Sequence, residues 1–259
     1  MKNNKLIIVV IILLIVVISC APPPKKENKL RAKHNYIILL DLSDRLIIQE
    51  NQPARDKEII KYIYELFEER VKNNLYIKSR DEIKVVIAPQ LGSNLKTEKF
   101  EDELYTNIEN IKNVFRKKTE QERRENFYAY IDTLYQQAVF SDNPKDYYGA
   151  DIWKYFYEDL KDDISKDTLT ENFLFILTDG YPIVGKDKNK LQPIKTKYSD
   201  LKVVLVEAAP REKDMEWDRI METWESWFNE IGVSEYTMIK RKAISKEKEQ
   251  LKDITADSN

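Results

Sequence analysis

Near-continuous apolar segments that recur along the chain constrain its fold more than any other feature. The strongest are YIILLDL at Tyr36–Leu42, NFLFILTDG at Asn172–Gly180 and LKVVLVEAA at Leu201–Ala209. Strands that are buried on both faces of a sheet have this composition. DEIKVVIAPQL at Asp81–Leu91 contains a charged lysine and predicts a less central strand, and EYTMIKR, which begins at Glu235, predicts a weaker edge strand.

Amphipathic helical patterns lie between these strands. Ala54–Val71 and Phe127–Val139 place apolar residues at three- and four-residue steps, and Asp151–Ile164 and Met215–Val233 complete the set. Strands that alternate with helices predict βαβ units. We therefore expect an α/β fold with a doubly wound, mainly parallel sheet and helices on both faces, a three-layer, Rossmann-type architecture.

Acidic and hydroxyl side chains follow two of the predicted strands. Asp41, Ser43 and Asp44 come at the end of the first apolar segment, and Thr178 and Asp179 end a later one. In such sheets ligands bind beyond the carboxyl ends of the strands. We therefore expect the two groups to lie at the same edge of the sheet.

The N-terminal residues predict export and a membrane anchor. Two lysines precede thirteen apolar residues, Leu6–Ile18. That run is shorter than the ~20 residues that span a membrane, so residues 1–19 predict a signal peptide. VISC, which ends at Cys20, resembles the lipobox of bacterial lipoproteins, and the resemblance implies cleavage before Cys20 and lipidation of its thiol. An uncleaved N-terminal anchor is the alternative.

The rest of the chain divides into three parts. Residues 20–34 are rich in proline and lysine and predict a flexible spacer. Residues 35–240 contain the strand and helix patterns, and residues 241–259 predict a charged tail that forms one or two exposed helical turns or is frayed. We expect a domain outside the cytoplasm, lipid-anchored to the cell membrane or the outer membrane of a bacterium.

Composition excludes several classes of function. Two of the 43 basic residues lie in the predicted signal peptide, which leaves 41 against 45 acidic residues. These charges are interspersed, so they predict no nucleic-acid surface. One cysteine, Cys20, and one histidine, His34, leave no Ser/His/Asp or Cys/His catalytic set and argue against zinc or iron.

The two groups of polar residues resemble the metal-ion-dependent adhesion site of von Willebrand factor A-type domains. Asp41-Leu42-Ser43 matches the start of the family's D-x-S-x-S element, and Asp179 in FLFILTDG matches its later aspartate. The resemblance covers roughly residues 35 to 230. It implies a protein-binding module in which Ser43 and Asp151 ligate Mg²⁺, Ca²⁺ or Mn²⁺ while Asp41 and Asp179 hold its waters.

Two positions depart from the family pattern. Arg45 stands where the second serine is expected, and Asp151 in YYGADIW stands at the position of the distant threonine. Arginine cannot ligate a cation, but it can replace one by pairing with a carboxylate. The sequence therefore leaves two alternatives, a divalent cation at this site or an ion pair of Arg45 with Asp151 or Asp179.

The function that we expect is non-catalytic binding of an unidentified envelope protein, with Asp44, Tyr147 and Tyr148 as further candidate contacts. The first alternative is a phosphatase of the haloacid dehalogenase type, which would also use an aspartate after a strand. Ser43 stands where that class has its general acid, which disfavours it. The second alternative is a structural lipoprotein with no ligand.

Overall fold

The computed structural model describes residues 32–76, 78–181, 193–209, 214–233 and 235–256, with residues 214–216 described by their backbone alone. All of them belong to one unit, Arg31–Asn259. Cys20 and the predicted signal peptide lie outside the described residues. No helix within these ranges is long and apolar enough to cross a membrane.

Six strands in the described ranges form one sheet. They are β1 Lys33–Leu40, β2 Glu82–Ile87, β3 Tyr105–Asn107, β4 Thr170–Leu177, β5 Leu201–Ala208 and β6 Glu235–Lys240. Their order in space is β3-β2-β1-β4-β5-β6. All neighbours pair in parallel except β2 and β3, which are antiparallel. The mainly parallel sheet is confirmed, with β6 at the edge that the sequence indicates.

Eight α-helices are found in the same ranges. They are α1 Arg45–Ile48, α2 Gln52–Asn73, α3 Thr97–Glu103, α4 Arg116–Ala138, α5 Ile152–Glu158, α6 Leu160–Asp163, α7 Asp214–Ile231 and α8 Ile244–Thr255. The amphipathic pattern predicts α2 and α7 within two residues at each end, whereas α4 begins eleven residues before the predicted start at Phe127. The helix predicted at Asp151–Ile164 is divided into α5 and α6.

The core lies on both faces of the sheet, as the continuous apolar strands require. Tyr36, Ile38 and Leu40 of β1 pack with α2, α4 and α8, and Ile37 and Leu39 pack with α5, α6 and α7. Successive side chains of a strand point to opposite faces, so each central strand contributes to both clusters. The expected three-layer α/β fold is thereby confirmed.

The prediction that the C-terminal tail is exposed or frayed is wrong for residues 244–255. They form α8, in which Leu251 is fully buried and Glu247 is enclosed. Leu251 joins the cluster around α2, with Ile244 and Ile254 packed against it. Three apolar residues on one face suffice to pack this helix against the core. The charged residues on its other face stay in water.

Candidate functional site

The carboxyl ends of three neighbouring strands bring the predicted site residues to one edge. Leu40 of β1 is in register with Ile87 of β2 and with Leu177 of β4. The loops that follow these strands start side by side. We call this region, at the carboxyl-terminal ends of the strands, the carboxyl edge. Thr178 Oγ1 donates a hydrogen bond of 3.0 Å to Asp41 Oδ2, which joins the two polar groups directly.

Asp41 and Ser43 are buried and hold the turn after β1. The backbone N–H of Ser43 donates to Asp41 Oδ1 at 3.0 Å, while Asp41 Oδ2 accepts from Thr178. Both carboxylate oxygens of Asp41 therefore have partners within the protein. Asp44 is half-buried and precedes α1, where its carbonyl accepts the N–H groups of Ile47 and Ile48.

The turn that contains Asp179 is fixed from several directions. Asp179 is buried, and its Oδ1 accepts the N–H of Tyr181 at 3.3 Å. Gly180 has a φ of +108°, a left-handed conformation that favours glycine. Trp224 of α7 donates its indole N–H to the Gly180 carbonyl at 2.8 Å, so the helix holds the turn in place.

Asp151 lies at the same edge, beyond β2. Its backbone N–H donates to the carbonyl of Pro89 at 2.8 Å, and Pro89 follows β2. Its side chain accepts the N–H of Lys154 at 2.9 Å and so caps the N-terminus of α5. Capping gives this aspartate a structural role that a neutral serine or threonine would also fill.

Arg45 is fully buried and pairs with a residue that the sequence did not indicate. Its Nη2 and Nη1 atoms donate to the two carboxylate oxygens of Asp56 at 2.6 and 3.3 Å, and its Nε donates to the Asp41 carbonyl at 2.7 Å. The expected pairing of Arg45 with Asp151 or Asp179 is therefore wrong. Arg45 begins α1, and from there its side chain reaches Asp56 in the first turns of α2 rather than Asp151 or Asp179.

The Arg45–Asp56 pair belongs to a larger set of buried and partly buried polar side chains, most of them charged. Gln52 donates to Asp56 at 2.7 Å and to Glu207 of β5 at 3.1 Å. Arg55 contacts Glu207 at 2.6 Å and Glu247 of α8 at 2.9 Å. We call this set the charge network; its members are Asp41, Arg45, Gln52, Arg55, Asp56, Glu207 and Glu247. It runs from the carboxyl edge towards β5 and α8.

The ionisation of the network follows from burial and from these contacts. Burial alone would lower the pKa of Arg45, but Asp56 and Asp41 raise it above its ordinary value. Burial alone would raise the pKa of Glu207, but the hydrogen bonds from Arg55 lower it. Burial and the adjacent Glu207 carboxylate raise the pKa of Glu247 to about 7. Burial also raises the pKa of Asp56, against the effect of Arg45.

Glu207 is held in a strained backbone conformation. Its φ is +65°, and it lies in a bulge of β5 between Leu205 and Ala208. A left-handed conformation costs a residue with a side chain about 1–2 kcal/mol. The contacts of Glu207 with Gln52 and Arg55 offset this strain, since the bulge turns the carboxylate into the network.

The donor set at the carboxyl edge does not fit a divalent cation of the adhesion type. Arg45 stands where the adhesion-site pattern that the sequence resembles has its second hydroxyl, and its Nε lies 3.8 Å from Asp41 Oδ2. A fixed positive charge at that place opposes a divalent ion. Within the described ranges, no three His, Cys, Asp or Glu side chains are grouped so that they could hold a metal ion. Metal binding through Asp41, Ser43, Asp151 and Asp179 stays a prediction from the sequence.

A second feature of the carboxyl edge is a cavity of about 600 Å³ on the side of β2 and β3. We call it the aromatic pocket. It contains both tyrosines that the sequence indicates as candidate contacts, Tyr147 and Tyr148, together with Leu42, which follows Asp41. Its other lining residues are Gln90, Ser93, Asn94, Leu95, Lys96, Lys99, Phe100, Tyr130, Thr133, Gln137, Ala138, Phe140 and Asp146.

Lys33 and His34 are buried in β1, so the predicted spacer, residues 20–34, is wrong for these two residues. His34 lies near the start of β1 and is therefore remote from the carboxyl edge. Its ring is fully buried against Phe173, with a centroid distance of 5.0 Å. Burial, together with the charges of Arg70 and Lys202, lowers the pKa of His34 to about 3. The imidazole is therefore neutral at physiological pH and packs as part of the core.

The members of the charge network left a weak signal in the sequence. Asp56 lies three positions before Ile59 and seven before Ile63, on the apolar face of α2, and Glu207 interrupts the end of the apolar segment of β5. An acid on a buried face requires a buried partner. Lys96 and Lys99 left no such signal, because exposed lysines occur on most helices.

Comparisons with known proteins assign the chain to no family. No protein-family model matches it, and no curated protein matches its sequence. BatB from Bacteroides thetaiotaomicron, a conserved hypothetical protein, resembles it with a TM-score of 0.43 and 10% identity over 86% of this chain and 96% of that one. An aerotolerance-related membrane protein from Bacteroides fragilis gives a TM-score of 0.38 and 10% identity over 86% and 97%. Both likenesses are distant.

Proposed function

We propose that the chain is a non-catalytic protein-binding module, tethered to the bacterial envelope by a lipid on Cys20, and that its carboxyl edge contacts the partner. One observation carries the proposal. Exposed rings at this edge lie around a cavity, whereas the acidic groups beside them are used in holding the fold.

The hydrogen bonds of Asp41 support a non-catalytic role. A nucleophilic aspartate needs an oxygen that faces its substrate. Asp41 is buried, and its two oxygens accept from Ser43 and Thr178 while Arg45 lies beside it. This arrangement supports a carboxylate that fixes the turn, in preference to the phosphatase alternative.

Site-specific photo-cross-linking in the native bacterium tests the proposed function. A photoreactive residue replaces Asp44 or Gln137 at the carboxyl edge, and the matched control replaces Lys166, an exposed residue in the loop before β4 at the opposite end of the sheet. We expect a discrete adduct from the edge positions alone. The adduct partner is then purified and its binding to this chain is measured directly.

Two outcomes would contradict the proposal. Adducts of the same partner from Lys166 and from the edge positions would show that the edge is not the contact surface. An adduct whose purified partner has no measurable affinity for this chain would show only proximity at the membrane.

A further inference from the structure

We infer that the aromatic pocket binds a partner segment that presents an apolar side chain next to a carboxylate. The inference rests on the proposed function and specifies the chemistry of the partner. None of the residues that line the pocket belongs to the charge network or to the predicted metal ligands.

The size and floor of the pocket fit one large apolar side chain and its neighbours. Its volume of about 600 Å³ falls within the roughly 300–1,000 Å³ of ligand pockets. Leu42, Phe100 and Ala138 are buried residues of the core that line it. An apolar floor offers hydrophobic burial to a side chain that enters from solvent.

Aromatic rings with exposed surface form the walls. Phe140 is 59% exposed and Tyr148 is 39% exposed. Phe140 stacks on Tyr147 with a centroid distance of 4.7 Å and an interplanar angle of 24°. Large exposed rings around one cavity are typical of binding anchors, since they supply contact area at a low loss of conformational entropy.

The loop that carries these rings is held in place before any partner arrives. Tyr147 donates its hydroxyl to the Ser141 carbonyl at 2.8 Å, and Gln90 donates to the Tyr148 carbonyl at 3.1 Å. Gly92, with a φ of +93°, lets the Tyr148 ring approach closely, because a Cβ there would lie 2.8 Å from Tyr148 Cε1. A preorganised site loses less entropy on binding.

The charge of the pocket selects a negative group. Lys96 and Lys99 line it as exposed residues, and neither forms an ion pair with any described residue. The acid of the pocket, Asp146, accepts hydrogen bonds from Ser141 at 2.6 Å and from Asn143 at 3.2 Å. Two uncommitted ammonium groups beside an engaged carboxylate favour an acidic ligand through charge complementarity.

Ligand-observed ¹⁹F NMR on the full chain in phosphatidylcholine nanodiscs tests this inference. The probe is N-acetyl-4-fluorophenylalanyl-glutamate amide, and its glutamine and lysine analogues differ only in charge. Empty nanodiscs give the background. We expect the dissociation constant to rise from the glutamate to the glutamine to the lysine probe. The double substitution Lys96→Gln/Lys99→Gln raises the dissociation constant of the glutamate probe at least about fivefold, to that of its glutamine analogue.

A matched double substitution provides the control. Lys117→Gln/Lys118→Gln removes the same charge from exposed positions at the start of α4 and leaves all three affinities unchanged. Tyr148→Ser weakens the binding of all three probes. Equal binding of the three probes, an equal effect of the two lysine pairs, or no binding above empty nanodiscs would each overturn the inference. If cross-links from Gln137 persist in that case, the proposed function stands and only the partner chemistry is wrong.

Discussion

The charge network and the aromatic pocket flank the end of β1, yet their polar groups are used differently. In the network each charged side chain contacts another member, as Arg45 does with Asp56 and Arg55 with Glu207. In the pocket Lys96 and Lys99 have no ion pair with any described residue. Buried charges need partners within the protein, whereas a binding surface keeps groups available for a ligand. The comparison indicates that the acids of this edge stabilise the fold. The lysines and rings are the groups that we propose bind the partner.

The largest expected effect comes from breaking the network. Arg45→Met leaves Asp56 buried with no cation, so we expect a loss of about 3–5 kcal/mol in the free energy of unfolding. Urea unfolding of the unit Arg31–Asn259, followed by tryptophan fluorescence, measures it. In Arg45→Met/Asp56→Leu, which removes both charges, at least half of the loss is recovered. A loss below about 1 kcal/mol in the single variant would show that the pair is not an essential part of the fold.

A pair of glycine substitutions separates backbone strain from the shape of the pocket. Gly92→Ala and Gly232→Ala both place a side chain at positive φ, +93° and +78°. Each should cost about 1–2 kcal/mol of stability. The Cβ at position 92 meets Tyr148 at 2.8 Å, whereas the Cβ at position 232 meets Lys197 at 3.5 Å. We therefore expect only Gly92→Ala to weaken the glutamate probe, and equal weakening by both would contradict the role of Tyr148.

Much of the fold, and part of the site, could be predicted from the sequence. β1, β4 and β5 are buried on both faces, so their apolar segments identify them, and the rule for parallel sheets brings Asp41 and Asp179 to one edge. The partner of Arg45 could not be predicted, because it depends on the direction in which α1 leads into α2. The aromatic pocket depends on where the loops at 90–96 and 139–148 meet, and loop paths have no periodic pattern.

The pH dependence of stability provides a smaller test of the network. The pKa of Glu247 is raised in the folded state to about 7, so its protonated form favours folding. Its contribution is fully present below its unfolded pKa, about 4.3, and is lost as the pH rises through 7. Glu247→Gln is permanently neutral, so we expect it to gain stability relative to the wild type between pH 5 and 8.

Glu120 serves as the matched control for this experiment, because burial and the charge of Glu68 also raise its pKa to about 7. It lies outside the network, so Glu120→Gln and Glu247→Gln should act additively. A wild-type and a Glu247→Gln protein with parallel stability curves across this pH range would contradict the protonation of Glu247 near pH 7.

The smallest expected effect concerns divalent cations, for which we expect no measurable binding. Isothermal titration of the unit Arg31–Asn259 with Mg²⁺, Ca²⁺ or Mn²⁺ should give no binding up to ~1 mM, the weak end of the range for extracellular calcium modules. The physical reason is the guanidinium of Arg45 beside Asp41. Saturable binding that Asp41→Ala abolishes would instead support the adhesion-type site that the sequence resembles.

Competition between the probe and the natural partner tests the central claim most directly. A photoreactive residue at Gln137 reports contact of the partner with the aromatic pocket in membranes that contain the full chain. We predict that the glutamate probe reduces the yield of the cross-linked adduct in a dose-dependent manner and that the lysine analogue does not. An adduct whose yield is the same with either probe, at concentrations that saturate the pocket, would contradict the claim.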